Sequence, residues 1–274
     1  MAIQSKFHMA RVKPVFDQAN HAAAIPGGDV LFDWHAFEVP RGGACVRSVS
    51  AIINGKDSAV SNNSDKNFSL VFGKSVNGIA PPSLGVSNTQ TTKAMWAAAR
   101  RHIIGYKYIS ATEMRSADTE FRAYSLLSNS FNRSAMADDE SEHGLGNPEP
   151  IILEGDPNYS GTTKGYQTIW VAGIAIEGSF DFGTGVELNE ADASDLAALG
   201  TATLVVDGTD VRDLFCIGDE IVAADNAAIG TIKSMTHDGS DGTIVLESAH
   251  TDALADDDEI CFKTPIELML GLEY

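Results

Sequence analysis

The chain has 274 residues, of which 43% are hydrophobic, 8% aromatic and 21% charged. This composition excludes wholesale disorder and predicts a folded globular protein. The net charge of -19 is divided unequally, because residues 1–134 hold 15 Lys and Arg against 9 Asp and Glu, whereas residues 135–274 hold 4 against 29. The first part is net +6 and the second net -25. Such a division favours contact of the basic part with an acidic surface, although solubility alone also explains it.

The opening residues lack the apolar run of a secretory signal, and the chain has no apolar stretch long enough to span a membrane. The sequence therefore predicts a protein made in a reducing cytoplasm, with no membrane partner. The three cysteines, Cys45, Cys216 and Cys261, have no CxxC spacing. We expect Cys216 and Cys261 to be buried structural thiols rather than a disulfide or a metal pair.

Strand and turn signals dominate the first two thirds of the chain. Strands are predicted at residues 30–39, at 44–53 with a bulge, and at 68–72, where alternate apolar residues share a face. Residues 77–91 have the composition of a long surface loop, and Thr92 is placed to cap a helix with the apolar stripe Met95, Trp96, Ala99 and Ile103. A further strand is predicted around residues 104–108.

The middle of the chain is less regular. Residues 119–131 are ambiguous between helix and strand, and residues 134–150 are typical of an exposed acidic loop. A short strand is predicted at 151–153, and the longest strand at 167–182 with a bulge near Gly173. Asn189 is placed to cap a short helix over residues 190–199.

The composition changes at Thr201, since 14 acidic and 3 basic residues follow up to Lys263. Five short strands, at residues 204–206, 220–223, 229–234, 243–247 and 259–262, are enough for a small barrel. The closing alternation over residues 266–272 requires a sheet, and we expect it to pair with 167–182. The sequence thus predicts a mainly β fold: an antiparallel, jelly-roll-like β-sandwich of residues 1–199 completed by 264–274, with one or two short helices and a small acidic β-barrel-like insertion at 200–263.

Motifs for catalysis are missing from the sequence. It contains no nucleophile elbow, P-loop, dinucleotide fingerprint or HExxH motif, and its seven histidines are scattered. We therefore predict no enzymatic activity, no cofactor and no metal. The acidic turns at 238–242 and 256–259 resemble cation loops, but neither matches an EF-hand, and we interpret them as charged turns at a sheet edge.

Two other functions have some support in the sequence. Residues 100–102 and 106–108 interleave basic and aromatic side chains, as single-stranded nucleic acid binders do, although the many acids of the second half argue against nucleic acid as a partner. A carbohydrate-active or carbohydrate-binding β-sandwich would use paired carboxylates. The acids here lie in turn clusters rather than among apolar strands, which disfavours that alternative.

Two segments resemble accessory virion structural proteins of tailed bacteriophages, especially those of marine phages. One runs from Val39-Pro40-Arg41-Gly42-Gly43-Ala44 through Arg47-Ser48-Val49 to Asn67-Phe68-Ser69-Leu70-Val71-Phe72. The other comprises Phe215-Cys216-Ile217-Gly218-Asp219-Glu220-Ile221, Ile229-Gly230-Thr231-Ile232, Thr243-Ile244-Val245-Leu246 and the closing residues 265–274. These are patterns of strand and turn, not signature motifs, and they name no catalytic residue.

The resemblance implies a structural protein of the virion, assembled in the host cytoplasm. It favours capsid decoration, in which the protein cements the outer shell by binding the major capsid protein or other virion proteins. A head–tail, neck or tail component is the alternative. The resemblance also implies self-association into a homotrimer or a larger ring.

The attachment residues are predicted to lie in an N-terminal arm, residues 3–16, and in the loop 77–91, because both carry apolar side chains without evident periodicity. The acidic module should point outward, since burying it would desolvate unpaired carboxylates. Truncating the arm should then abolish attachment and leave the thermal melt nearly unchanged. The predicted contact residues are Ile3, Phe7, Val12, Val15, Phe16, Ile79 and Leu84.

Overall fold

The computed structural model describes residues 6–54, 63, 66–110, 114–116, 121–127, 151–189, 201–207, 210–252, 254 and 258–274. These residues are mainly β, as predicted, with one α-helix, α1 (Lys93–Ala99). The strands are β1 (Phe7–Val12), β2 (Ile25–Pro26), β3 (Val30–Pro40), β4 (Ala44–Asn54), β5 (Asn67–Gly73), β6 (Ile103–Ile109), β7 (Met114–Ser116), β8 (Phe121–Leu127), β9 (Ile152–Leu153), β10 (Tyr166–Glu177), β11 (Ser179–Phe180), β12 (Thr203–Asp207), β13 (Glu220–Ala223), β14 (Ala228–His237), β15 (Asp241–Leu246), β16 (Ile260–Phe262) and β17 (Ile266–Glu273).

Eight strands form the two antiparallel sheets of a jelly roll. Sheet A has the order β1-β17-β4-β8 and continues to β7, with β9 paired to the start of β4. Sheet B has the order β3-β10-β5-β6. The eight strands can be renumbered 1 to 8 in chain order, as β1, β3, β4, β5, β6, β8, β10 and β17. Sheet A then has the order 1-8-3-6 and sheet B the order 2-7-4-5. This is the strand order of a double Greek-key jelly roll, which confirms the predicted fold class.

Strand alternation explains the core between the two sheets. Phe68, Leu70 and Phe72 on β5 and the alternate leucines of β17 are fully buried in one apolar cluster. A buried side chain of this size contributes about 1.5–3 kcal/mol. The prediction that residues 266–272 pair with residues 167–182 is wrong, because β17 lies between β1 and β4 in sheet A and not beside β10. Its leucine face packs toward the opposite sheet, so β10 is a neighbour across the core rather than along the sheet.

Both predicted bulges are present. In β4, Val46 pairs with Leu272 and Ser48 pairs with Gly271, which leaves Arg47 as the extra residue. In β10 the register against β3 shifts on both sides of Gly173. A Cβ atom at Gly173 would lie 2.3 Å from Cε1 of Phe32, so the ring of Phe32 requires glycine at this position.

The helix and the loop before it cover the outer face of sheet B. Thr92 caps α1 as predicted, and its hydroxyl accepts a hydrogen bond from the backbone N–H of Met95 at 3.3 Å. Ala99 of the helix and Leu84 of the loop are completely buried against side chains of sheet B. Ile103, predicted to continue the helical stripe, belongs instead to β6.

Residues 203–262 contain a separate five-stranded sheet with its own apolar core, in the order β12-β15-β14-β13-β16. All five of its strands coincide with predicted strands. The segment 186–189 joins the two ends of this sheet: Ile260 donates to the carbonyl of Val186 at 2.8 Å and Asn189 donates to that of Val205 at 3.1 Å. Val186 and Leu188 are fully buried in the second core. The barrel-like module therefore packs from residue 186 onward, earlier than the predicted boundary at residue 200.

Backbone and side-chain hydrogen bonds attach the module to the segment that follows β1. The N–H of Phe16 donates to the carbonyl of Lys263 at 3.0 Å, and that of His21 donates to Ala224 at 2.7 Å. The side chain of Asn226 lies 3.1 Å from Nε2 of His21 and donates to Asp17 at 2.9 Å. Burial lowers the pKa of His21. The predicted loop at 134–150 and the predicted helix at 190–199 lie outside the described residues.

All three cysteines are free. Cys261 is buried as predicted, but Cys216 is exposed, because it lies in the turn before β13 and not in a strand. Burial raises the pKa of both the Cys261 and the Cys216 thiols, so access of the reagent to the sulfur is what distinguishes them. We expect iodoacetamide at neutral pH to label Cys216 in the native protein and Cys261 only in denaturant, as measured by peptide mass spectrometry. Equal labelling of both thiols in the native state would contradict the burial of Cys261.

Candidate interaction surfaces

The structure divides the predicted contact residues. Val12 and Phe16 are 1% exposed and Leu84 is completely buried, so the prediction that these three contact a partner is wrong. Phe7, Val15 and Ile79 are exposed. Ile3 lies outside the described residues. The interpretation of residues 7–16 as a free arm is also wrong, because residues 7–12 form a strand of sheet A whose alternate side chains enter the core.

The first candidate surface is the edge surface, which we define as Phe7, Met9, Arg11, Lys13 and Val15. Their side chains alternate with those that enter the core, and all five are exposed. Phe7 and Met9 are 72% and 62% exposed. Other large apolar side chains lie next to this strand, since the ring of Tyr166 is 6.1 Å from that of His8 and Tyr274 pairs with Lys6. Exposed apolar side chains grouped in this way are typical of protein contacts.

Ion pairs compensate the cations of the edge surface. Arg11 binds both carboxylate oxygens of Glu267 on β17, with Nη2 2.8 Å from Oε2, and Nζ of Lys13 lies 3.8 Å from the same carboxylate. Burial raises the pKa of Asp219 in the module, and the nearby charge of Lys13 opposes that rise. The edge surface is therefore apolar with largely paired charges.

The second candidate surface lies over sheet B. Residues 66–110 contain six Lys and Arg and no Asp or Glu, and they fold into β5, the covering loop, α1 and β6. We define the basic face as five of the exposed side chains of this layer: Val86, Lys93, Arg100, Arg101 and Tyr106. Cations at the end of a helix also interact favourably with its dipole, which is a structural reason for the two arginines.

The predicted nucleic-acid pattern falls on this basic face. Arg100 and Arg101 lie where α1 ends, and Tyr106 is 52% exposed on β6. The hydroxyl of Tyr106 lies 2.6 Å from that of Ser69, and Nδ1 of His102 lies 2.9 Å from the carbonyl of Lys74. Hydrogen bonds thus position the rings of Tyr106 and His102 on the same layer of the sandwich as the two arginines.

The acidic turn at 238–241 is stabilised by its own backbone. Oδ1 of Asp238 accepts hydrogen bonds from the N–H groups of Ser240 and Asp241, both at 2.9 Å, which lowers the pKa of that carboxyl. In the part of the chain that the structure describes, no group of three or more His, Cys, Asp and Glu side chains is arranged to hold a metal ion. Residues 256 and 257 of the other acidic turn lie outside that part.

A shallow cavity of about 250 Å³ lies on the module, lined by residues 228–231 and 247–251. His250, at its base, is 3% exposed, and its Nδ1 lies 2.9 Å from the carbonyl of Asp252. The lining has no Phe, Tyr or Trp ring on which a sugar could stack. The cavity therefore adds no support to a carbohydrate site.

Jelly rolls serve in capsids, lectins and cupins, so the fold by itself does not select a function. Among the described residues, no helix is long and apolar enough to cross a membrane. Comparisons of the chain with protein-family models, with curated proteins and with solved structures gave no match.

Proposed function

We propose that the chain is an accessory structural protein of a virion that decorates the outer capsid shell and attaches to it through the basic face. The observation that carries the proposal is the separation of charge between structural units. The layer formed by residues 66–110 has six basic and no acidic residues, whereas residues 201–263 have 3 basic and 14 acidic ones. The two strand-and-turn segments that resemble phage accessory proteins, and the jelly-roll strand order, agree with a structural role.

The cost of removing charged side chains from water favours the basic face, and not the acidic module, as the surface that binds the shell. Burying the module in an interface would remove many carboxylates from water without partners, at a cost of several kcal/mol for each unpaired charge. The basic face carries only three exposed cations, Lys93, Arg100 and Arg101, beside exposed Val86 and Tyr106. Arg and Tyr are enriched in protein interfaces. An acidic patch on the shell would therefore bind this face while the module stays in water.

Reversing the charge of Arg100 and Arg101 together, with Arg100→Glu and Arg101→Glu, is expected to weaken attachment at least about tenfold, which corresponds to ~1.4 kcal/mol. Both side chains are exposed, so the thermal melt should fall only slightly, through the lost interaction with the dipole of α1. Co-sedimentation with capsid shells stripped of the protein measures the attachment. The matched control is Lys164→Glu with Lys233→Glu, which changes the charge equally at exposed positions outside the basic face.

The same variants separate the alternatives. If the control pair weakens attachment as much as the arginine pair, net charge and not the basic face governs attachment. Electron microscopy of particles that carry the protein distinguishes the outer shell from the neck and tail. Tight retention of single-stranded DNA at physiological salt, lost in the arginine variant and falling steeply with added salt, would instead identify the basic face as a nucleic-acid site.

A further inference from the structure

Strand β1 presents a row of backbone groups at the open edge of sheet A. It pairs with β17 on one side and with no other described strand. Lys6 and Tyr274 exchange both backbone hydrogen bonds, at 3.1 and 2.9 Å. Because bonded and non-bonded pairs alternate in an antiparallel ladder, the N–H and C=O groups of residues 8, 10 and 12 point to β17. Those of Phe7, Met9 and Arg11 point away from it.

We propose that β1 of a second copy of this chain pairs with this edge, antiparallel, about a two-fold axis at Met9. The two copies of sheet A then form one continuous sheet. The interface is isologous, so it yields a dimer or an even-numbered assembly. The homotrimer implied by the phage resemblance would require a different, non-symmetric contact.

The register follows from the three residues whose backbone groups are free to pair. Placing Met9 opposite Met9 of the second copy puts Phe7 opposite Arg11 at both ends, and all three residues form hydrogen-bonded pairs. Their side chains lie on the same exposed face of the sheet. The apolar centre is thus flanked by two aromatic–guanidinium pairs, a favourable contact.

Charge complementarity favours a second copy as the occupant. In this register Arg11 never faces Arg11, and each guanidinium is already neutralised by Glu267 of its own chain. Shifting the axis to Arg11 would place the two arginines directly opposite each other, which is destabilising. Charged residues usually protect an edge strand from pairing, but here Glu267 on the neighbouring strand β17 compensates the charge of Arg11.

A symmetric cross-link tests the register. In a variant with Cys45, Cys216 and Cys261 replaced by Ala, Met9→Cys should form a disulfide dimer on mild oxidation, because Cα atoms in a hydrogen-bonded pair are about 5.5 Å apart. Arg11→Cys in the same background is the control. In the proposed register, residue 11 of one copy and residue 11 of the other lie four residues apart along the strands, about 13 Å, and should not cross-link. Equal cross-linking of both variants, or of Arg11→Cys alone, would overturn the proposed register.

A second variant tests the interface without cysteines. Met9→Pro removes an N–H that points away from β17, so the ladder between β1 and β17 keeps its hydrogen bonds while the edge loses its central donor. Sedimentation should show a dimer for the full chain and for Met9→Ala, and a monomer for Met9→Pro. A monomeric full chain at micromolar concentration, or a dimer that persists in Met9→Pro, would refute the proposal. If Met9→Pro fails to fold, the cross-linking result decides. The Arg100 and Arg101 variants should remain dimeric, which keeps this test separate from shell attachment.

Discussion

Removing residues 1–16 is expected to abolish cooperative folding, not to leave the melt nearly unchanged as the sequence alone suggested. The truncation takes Ala10, Val12 and Phe16 out of the main core and strips β17 of one of its two neighbours. The ring of Phe16 lies 5.2 Å from that of Phe182 and 6.0 Å from that of Phe32. Replacing one buried Phe by Ala typically costs about 3–5 kcal/mol, a large share of a total stability of about 5–15 kcal/mol.

Circular dichroism and calorimetry of the truncated chain measure this effect. Phe16→Ala supplies the graded version and should lower the free energy of unfolding by about 3–5 kcal/mol. Val15→Ala, one residue away and 41% exposed, is the matched control and should change it by less than about 0.5 kcal/mol. A truncated chain that melts cooperatively near the temperature of the full chain would show that residues 7–16 do not belong to the core.

Excising the module should leave the sandwich folded only if the deletion also removes residues 186–189, which pack in the module core. We expect removal of residues 184–263, with a short Gly/Ser linker from Gly183 to Thr264, to give a soluble sandwich with one cooperative melt. The ends are close, because Phe16 contacts Phe182 with its ring and donates its N–H to Lys263. The melt should occur at lower temperature than in the full chain, since Phe16 and His21 lose their hydrogen bonds to the module.

Removal of residues 200–263 alone is the comparison. It leaves Val186 and Leu188 without the core in which both are completely buried, and it leaves the backbone of residues 186–189 without its partners on β12 and β16. This variant should aggregate or bind the dye ANS, whereas the longer excision should not. Calorimetry and ANS fluorescence of the two deletion variants measure whether each sandwich is folded. Loss of folding in both would mean that the sandwich depends on the module.

The candidate surfaces were only partly predictable from the sequence. Exposed Phe7, Val15 and Ile79 were among the predicted contacts, but so were Val12, Phe16 and Leu84, which are buried. The sequence of residues 7–16 gives no clear alternation signal, because Phe7 and Met9 are apolar on the outer side of the strand and both faces therefore look hydrophobic. The charge excess of the N-terminal half was visible in the sequence. Its concentration in one layer over sheet B depends on how α1 and the loop fold back.

The sequence by itself determined the features that depend on neighbouring residues. Apolar and aromatic residues between turn signals defined the strands from β3 to β5, and Gly/Asp turns delimited those of the module. Thr92 defined the start of α1, and bulges were expected in β4 and near Gly173. Each follows from local sterics and hydrogen bonding. The tertiary structure alone decided which strands pair across long separations. It placed β17 between β1 and β4, buried Phe16, and joined β12 to β16 through residues 186–189. An alternating strand can bury its apolar face in either sheet of a sandwich, and only the packing of the whole core makes one pairing more stable than the others.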